Sequence, residues 1–198
     1  MSFENVLEFW FGTLQDELDF PAEKSSIWFR KSDETDALIR DRYQLVWTHA
    51  HEGTYDVWTK IPHGRLALII ILDQFSRNMF RGTPQAFAGD KKALELAREG
   101  VRKKMDRDLY PIQRVFMYMP FEHSENLEDQ NESVRLFTNL LEEVPDQLKR
   151  PMNEFLRYAK AHRDIIKQYG RFPHRNQTLG RTTTPEELAF LKKPGSSF

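Results

Sequence analysis

Cysteine is absent from all 198 residues of this chain. Its absence excludes a disulfide framework, a thiolate nucleophile and a cysteine-ligated zinc or iron–sulfur site. Long hydrophobic runs are missing too. The longest, Leu66 to Leu72, has seven residues, far short of the roughly 20 that span a bilayer. The N-terminus carries Glu4 where a signal peptide would be basic. We therefore expect a soluble, cytoplasmic protein that does not bind a membrane.

A net charge of either sign is also lacking. The chain has 29 Lys and Arg against 30 Asp and Glu, for a formal net charge of -1. Such a balance gives no overall attraction to nucleic acid, so no nucleic-acid partner is expected. A composition of 39% hydrophobic and 13% aromatic residues is that of an ordinary globular protein. The length suits one domain or two small ones. We expect a single helical domain over residues 1–198, with a short C-terminal tail from about residue 192.

Apolar residues recur at helical spacing along the chain, and no segment alternates strongly as a strand does. The first helix presents an apolar face from Phe3 to Phe11 and is closed by Gly12. The last is marked by Thr184 and Glu187, which form a capping box. These patterns predict an all-α fold of seven to nine helices. Short connections between them favour antiparallel helix pairs.

Local residues predict several helix boundaries. Asp33 is expected to cap a long helix that stops at Gly53. Pro111 is expected to open a short helix, and Pro120 to end it. A further helix is expected after Pro151.

The stretch Leu66 to Gly82 changes character in its middle, because the apolar run is followed by hydrogen-bonding side chains. On a continuous helix Asp73, Arg77 and Arg81 share one side, and Gln74 and Asn78 form a second i,i+4 pair. Two interpretations stay open: an internal salt bridge with caps, or one wall of a polar pocket. An arginine fork suits either, since it grips a carboxylate of the protein or of a ligand equally well.

A second polar segment, PFEHSENLEDQ, supplies Glu122, His123 and Glu125. A histidine flanked by carboxylates is suited to general acid–base chemistry. The spacing matches no zinc motif, so no metal site is predicted. His162 lies on an apolar helical face and is interpreted as a core histidine rather than a catalytic one.

A third polar segment, GRFPHRNQTLGR, is basic, and no acid occurs between Asp164 and Glu186. Its arginines could hold a phosphate or carboxylate of a ligand. Alternatively they pair with acids of the second segment and fasten the C-terminal region to the middle of the chain. The candidate partners are Glu122, Glu125, Glu128 and Asp129.

At these segments the sequence resembles the mainly bacterial family catalogued as domain of unknown function 924. The resemblance is carried by VLEFWFG, LALIIILDQFSRNMFRGT, AFAGD, PFEHSE and GRFPHRNQTLGR. One position departs from it: Ser76 replaces the proline of the family's usual DQFPRN. The resemblance implies an all-α fold similar to tetratricopeptide-repeat proteins, with helices stacked in antiparallel pairs. It implies no activity, substrate or cofactor.

We predict that the three polar segments converge on one pocket for a small anionic ligand. The alternative is a protein-interaction module whose stacked helices offer a groove to a peptide, the polar motifs being structural clasps. The sequence identifies no cofactor or oligomeric state and leaves open whether the chain is an enzyme. Candidate acid–base residues are Asp73, Glu122, His123 and Glu125; candidate ligand-binding residues are Arg77, Asn78, Arg81, Arg171, His174, Arg175, Asn176 and Arg181.

Overall fold

Helices alone make up the regular structure of residues 1–196, the part of the chain that this computed structural model describes. Nine are present there, in agreement with the predicted all-α fold and helix number. They are α1 (Phe3–Phe11), α2 (Ser25–Phe29), α3 (Asp33–His51), α4 (from Pro62 to Met79), α5 (Asp90–Arg102), α6 (Pro111–Glu122), α7 (Leu127–Glu143), α8 (Asp146–Tyr169) and α9 (Pro185–Leu191).

Helix α4 lies at the centre of the core and is not a uniform α-helix. It is α-helical over Pro62–Ile69, π-helical over Ile70–Phe75 and α-helical again over Ser76–Met79. Every residue of the π-helical stretch is buried. Ser76 donates its hydroxyl hydrogen to the Leu72 carbonyl at 2.6 Å and accepts from Trp47 Nε1 at 2.6 Å. Ser76 therefore links the end of the π-helical stretch to α3.

Aromatic side chains from neighbouring elements surround α4. Trp10 of α1 packs edge-on against Phe75 and Phe116, with ring centroids 5.5 and 5.6 Å apart. Such contacts combine large buried area with favourable ring geometry. Helix α8 packs against α7, and α7 against α6. The predicted tetratricopeptide-repeat likeness of this stacking stays a prediction.

A smaller apolar cluster ties the C-terminal region to the rest of the chain. Ile165 and Ile166 of α8 pack with Phe172, and Tyr169 and Phe190 lie against them. Phe172 directly precedes the short 3-10 helix Pro173–Arg175. The third polar segment is therefore anchored by burial as well as by its charges.

The predicted caps at both ends of the chain are present: Gly12 closes α1 at φ 73°, and the Thr184–Glu187 capping box opens α9. Three other boundaries were predicted wrongly. Ser32, not Asp33, caps α3, its hydroxyl accepting from the Thr35 amide. Pro120 lies inside α6, and Pro151 lies inside α8.

Burial explains why neither proline ends its helix. All 12 residues of α6 are buried, and α8 buries a continuous apolar face that includes Leu148, Met152 and Phe155. A proline within a helix removes one hydrogen bond and costs roughly 3 kcal/mol. Because most helix stability in proteins comes from such packing, the buried faces outweigh that cost.

Candidate functional site

Asp73 is the most deeply buried acid of the three polar segments, with no exposed surface. Its carboxylate accepts hydrogen bonds from His123 Nδ1 at 2.7 Å and Gln74 Nε2 at 2.5 Å. Arg77 Nη1 donates to the Asp73 carbonyl and forms an ion pair with the carboxylate at 3.0 Å. Burial opposes ionisation, but Arg77 and then His123 outweigh it and hold the pKa of Asp73 well below its usual range. Asp73 is therefore an ionised acceptor, and it lies in a π-helical turn of the kind often found at functional sites.

His123 follows the last residue of α6 and points its Nδ1 atom at Asp73. An ionised carboxylate only accepts, so we assign the ring proton to Nδ1. That tautomer leaves Nε2 to accept a proton. Burial and the neighbouring Arg77 lower the pKa of His123, so the ring is neutral at neutral pH. Its side chain retains 15% exposure. An imidazole oriented by a carboxylate in this way is suited to acid–base chemistry.

Asp90, the first residue of α5, lies between two arginines. Arg77 grips its carboxylate with both terminal nitrogens, at 2.9 and 3.1 Å. Arg175 approaches the same carboxylate only to 3.6 Å, which is longer than a hydrogen bond. Together with Asp73 and His123, these residues form what we call the central cluster. It joins all three polar segments.

Arg175 is held by aromatic rings rather than by hydrogen bonds. Its guanidinium lies 4.7 Å from the Phe87 ring centroid and 4.6 Å from that of Phe172. The side chain is buried, and within residues 1–196 its Nε atom has no hydrogen-bond partner. Burial and then Arg77 lower the pKa of Arg175 to about 10, so it stays charged at neutral pH. A buried cation with unused donors is costly unless something pairs with it.

A second carboxyl–histidine pair lies beside the central cluster. Glu122 Oε1 is 3.1 Å from His162 Nδ1, which also lies 2.9 Å from the Tyr158 carbonyl. The His162 and His123 rings are 6.3 Å apart. Burial and then Asp73 raise the pKa of Glu122 to about 8. Burial and then His123 lower the pKa of His162 to about 3. Both partners are therefore mainly uncharged at neutral pH.

Replacing Glu122 by Gln is expected to change how stability depends on pH. The pKa of Glu122 is raised from 4.5 to about 8 on folding. Its contribution to stability is therefore complete below pH 4.5 and is lost as pH rises towards 8. Relative to wild type, the E122Q protein should gain about 3 kcal/mol between pH 5 and pH 8. Urea unfolding at several pH values measures this difference.

The exposed Glu128 provides the control for Glu122. The titrations of His162 and His174 occur in both proteins and largely cancel from the difference. Plots of unfolding free energy against pH should run in parallel for E128Q and wild type. If the E122Q curve is also parallel to that of wild type, Glu122 is not a buried neutral acid.

Several predicted ligand-binding residues are engaged by acids away from the central cluster. Arg81 grips Asp36 of α3 at 2.6 and 2.9 Å, and Asn78 donates to the same carboxylate at 2.9 Å. The expectation that Arg81 shares one side of a helix with Arg77 is wrong, because α4 ends at Met79. The expected Gln74–Asn78 pair is also wrong, because Gln74 turns to Asp73 instead.

Arg171, Asn176 and Arg181 of the third segment form two clasps. Arg171 and Asn176 bind Glu187 of α9, with distances from 2.6 to 3.0 Å. Arg181 binds Glu125 at 2.7 and 3.0 Å. Glu125 also accepts from the Phe172 amide at 2.7 Å. The carboxylate that orients His123 is therefore Asp73, and neither Glu122 nor Glu125.

Three residues of the site were not singled out from the sequence: Asp90, Phe87 and Phe172. All three lie in motifs that carry the family resemblance, AFAGD and GRFPHRNQTLGR. Their place in these motifs was the only sign in the sequence that they belong to the site. Phenylalanine also fills protein cores, so the residue type alone assigns no role. His162, interpreted as a core residue, is buried and contacts Glu122. His174 lies beside Arg175, and burial followed by this arginine lowers its pKa to about 4.

The central cluster is packed rather than open. Two depressions stand out on the surface of residues 1–196, with volumes of about 470 and 350 Å³, and neither includes it. Solvent reaches the cluster at its rim, where Arg77 and Asp90 keep 21% and 23% side-chain exposure.

Within residues 1–196, no group of three or more His, Asp and Glu side chains is arranged to hold a metal ion. No helix there is long and apolar enough to cross a membrane.

Comparison with known proteins identifies a family and a structurally similar protein, but no activity. A family model described as "Bacterial protein of unknown function (DUF924)" matches residues 6–195. The chain is also similar to a solved structure, the protein of unknown function ATU0120 from Agrobacterium tumefaciens. The two share 33% identity over 96% of each chain, with a TM-score of 0.81. No curated protein matches the chain.

Proposed function

The chain belongs to the bacterial DUF924 family, whose function is unknown, so we infer a function from its own side chains. We propose that it binds a small anion at Arg175 and exchanges a proton with that ligand through His123. In this proposal Asp73 orients His123, and Arg77 and Asp90 hold the central cluster in place. The observation that carries it is the buried Arg175 guanidinium, which stands between two aromatic rings without full hydrogen-bonding partners.

The position of Arg175 is that of a preorganised anion receptor. Aromatic rings near a guanidinium stabilise its charge through the ring electrons but accept none of its in-plane hydrogen bonds. Phe87 and Phe172 therefore fix the side chain and leave its donors for another group. An arginine fork binds a planar carboxylate especially well. Asp90 is only a partial partner, because Arg77 already occupies it.

The Asp73–His123 pair supplies the proton-transfer group. Asp73 holds the Nδ1–H at 2.7 Å, fixing the ring and stabilising the positive charge that forms when Nε2 gains a proton. Arg77 links this pair to Asp90 and hence to the neighbourhood of Arg175. Such a pair beside a bound anion suits proton transfer to or from that anion.

The alternative, a peptide-interaction module, has less support. Among residues 1–196 the aromatic side chains that are clearly exposed are Phe29 and Tyr158, on α2 and α8 respectively. Arg81, Arg171 and Arg181 do form clasps. Clasps hold helices together, however, and do not by themselves provide a groove for a partner. They are compatible with a small-ligand site between the helices that they join.

A panel of small anions tests the proposal directly. Wild-type protein is heated with acetate, lactate, succinate or inorganic phosphate at up to 20 mM. A ligand present at a hundredfold excess over its Kd should stabilise the fold by about 2.7 kcal/mol. For a chain of this length, that raises Tm by roughly 5–10 °C. In parallel, ¹⁵N NMR should show the Arg175 Nε–H resonance shifting with ligand concentration.

The R175K variant has no Arg175 Nε–H group, so the resonance that is missing from its spectrum is that of Arg175. The exposed Arg157, which pairs with Glu154, provides a matched reference whose resonance should stay in place. If no anion raises Tm and the Arg175 resonance stays unmoved, the proposal is wrong.

A further inference from the structure

We infer that the proposed site takes up its anion together with one proton, carried on Nε2 of His123, and that its ligand is a small monocarboxylate. This inference rests on the proposed function. It adds the chemical class of the ligand and the direction of the proton transfer. His123 would enter the reaction as an acid, already protonated when the anion is in place.

Charged and titratable groups face His123 from each neighbouring element. Helix α4 contributes Asp73 and Arg77, and α5 contributes Asp90. Helix α6 contributes Glu122, and α8 contributes His162. The 3-10 helix after α8 contributes His174 and Arg175. Beyond them, Glu125 and Arg181 neutralise each other.

These groups sum to zero without a ligand. The two carboxylates, Asp73 and Asp90, equal in number the two guanidinium groups, Arg77 and Arg175. Within residues 1–196 Glu122 forms no ion pair with an arginine or lysine, and it is mainly protonated, in keeping with its raised pKa. The three histidines have lowered pKa values and are neutral. An anion entering alone would therefore leave a net negative charge in a poorly solvated place, which is unfavourable.

A proton taken up at the same time removes that excess charge. An anion next to an imidazole raises the pKa of the ring, because it favours the charged form. His123 is the group best placed to respond. Its Nδ1–H already points at Asp73, which would stabilise the imidazolium, and its ring keeps 15% exposure.

The other candidates are less suitable. Glu122 already carries its proton. His162 is more deeply buried than His123, and its Nδ1 faces Glu122 and the Tyr158 carbonyl. His174 lies next to the charged Arg175, which opposes protonation. The proton therefore comes from solvent and binds to His123 Nε2.

The same charge balance limits the class of ligand. One imidazole neutralises one negative charge, so a monoanion leaves the cluster balanced. A dianion, such as a phosphate at alkaline pH, would leave one charge uncompensated. Its planar, two-oxygen geometry also makes a carboxylate the better match for the single fork of Arg175. We therefore expect the site to prefer monocarboxylates over dianions.

Acetate and inorganic phosphate, used as probes, test the inference. Their dissociation constants are measured between pH 5.5 and 8.5 by titrating the Arg175 Nε–H resonance. Acetate affinity should fall about tenfold per pH unit above neutrality, as linkage to one proton requires. At pH 8 phosphate should bind at least tenfold more weakly than acetate. Calorimetry of acetate binding at pH 8, in Tris and in HEPES, should report uptake of about one proton.

The H123Q variant separates the proton from the anion. Gln is neutral but can still donate a hydrogen bond to Asp73. Acetate should bind to it only as weakly as to wild type at the alkaline end of the range, with an affinity that no longer depends on pH. The calorimetric proton count uses wild-type protein only, so it decides the matter even if H123Q fails to fold.

The outcomes distinguish the two proposals. Acetate binding to wild type that is independent of pH, with no proton uptake, overturns this inference and leaves the proposed function standing. Phosphate binding as tightly as acetate at pH 8 overturns the ligand class. If neither probe binds at any pH, this inference fails, and the proposed function fails with it when lactate and succinate also leave Tm and the Arg175 resonance unchanged.

Discussion

Replacing Asp73 by Asn is expected to lower the free energy of unfolding by about 3–5 kcal/mol, the usual effect of removing one partner from a buried ion pair. The Asp73 carboxylate accepts hydrogen bonds from His123 and Gln74 and is ion-paired with Arg77. An amide has a single acceptor oxygen and two hydrogens of its own. One of the two donors, His123 or Gln74, must then face the hydrogens of the new amide. Arg77 would also lose one of its two ionised partners.

Urea unfolding measures this loss. The control is Asp41→Asn, which makes the same chemical change at an exposed position on α3. It should alter stability by less than about 0.5 kcal/mol, as surface substitutions usually do. A D73N protein that loses no more than its D41N counterpart would show that the contacts of Asp73 contribute little to the fold.

The second large effect is expected on binding, when Arg175 is replaced by Met. Removing the guanidinium takes away hydrogen bonds to a charged ligand group, each worth about 1.5–3 kcal/mol. Affinity for acetate should therefore fall at least about a hundredfold in R175M, since each 1.4 kcal/mol is a factor of ten. Met keeps an unbranched, polarisable side chain that can occupy the space between Phe87 and Phe172.

The matched control for binding is Arg157→Met. Arg157 lies over the ring of Tyr158, as Arg175 lies over aromatic rings, but it is exposed. Acetate affinity should be the same in R157M and wild type. Equal loss in both variants would mean that overall positive charge attracts the anion, and equal retention would remove Arg175 from the site.

Much of the fold follows from local patterns in the sequence. Apolar periodicity, Gly12 and the Thr184–Glu187 capping box act within one or two helical turns, and each predicts a feature that the structure contains. The errors at Pro120 and Pro151 have a shared cause. Proline is a local signal, and here burial against distant helices outweighs it.

The candidate site follows from the sequence only in part. The Asp73–Arg77 contact links residues one helical turn apart, so spacing predicts it. The partners Asp36, Asp90 and Glu187 lie outside the three polar segments. Which acid each arginine meets depends on how the helices pack, and spacing along the chain does not encode that. The same holds for the pairing of His123 with Asp73, 50 residues apart.

The sequence left two interpretations of the arginines open, a binding site or structural clasps. In the structure each interpretation fits different residues. Three arginines each bind one carboxylate through two guanidinium nitrogens: Arg81, Arg171 and Arg181. Arg175 does not, although it is more deeply buried than any of them. Binding sites commonly contain residues that are kept for function although they lower the stability of the fold. Arg175 is therefore the residue on which the functional account depends.

The most direct test is the unfolding free energy of R175M in the absence of any ligand, measured beside wild type and D73N. If Arg175 is held for a ligand, its removal breaks no complete hydrogen bond, and Arg77 still occupies Asp90. The stability of R175M should then lie within about 1 kcal/mol of wild type. A loss of about 3 kcal/mol or more, comparable to that of D73N, would show instead that Arg175 is a structural clasp.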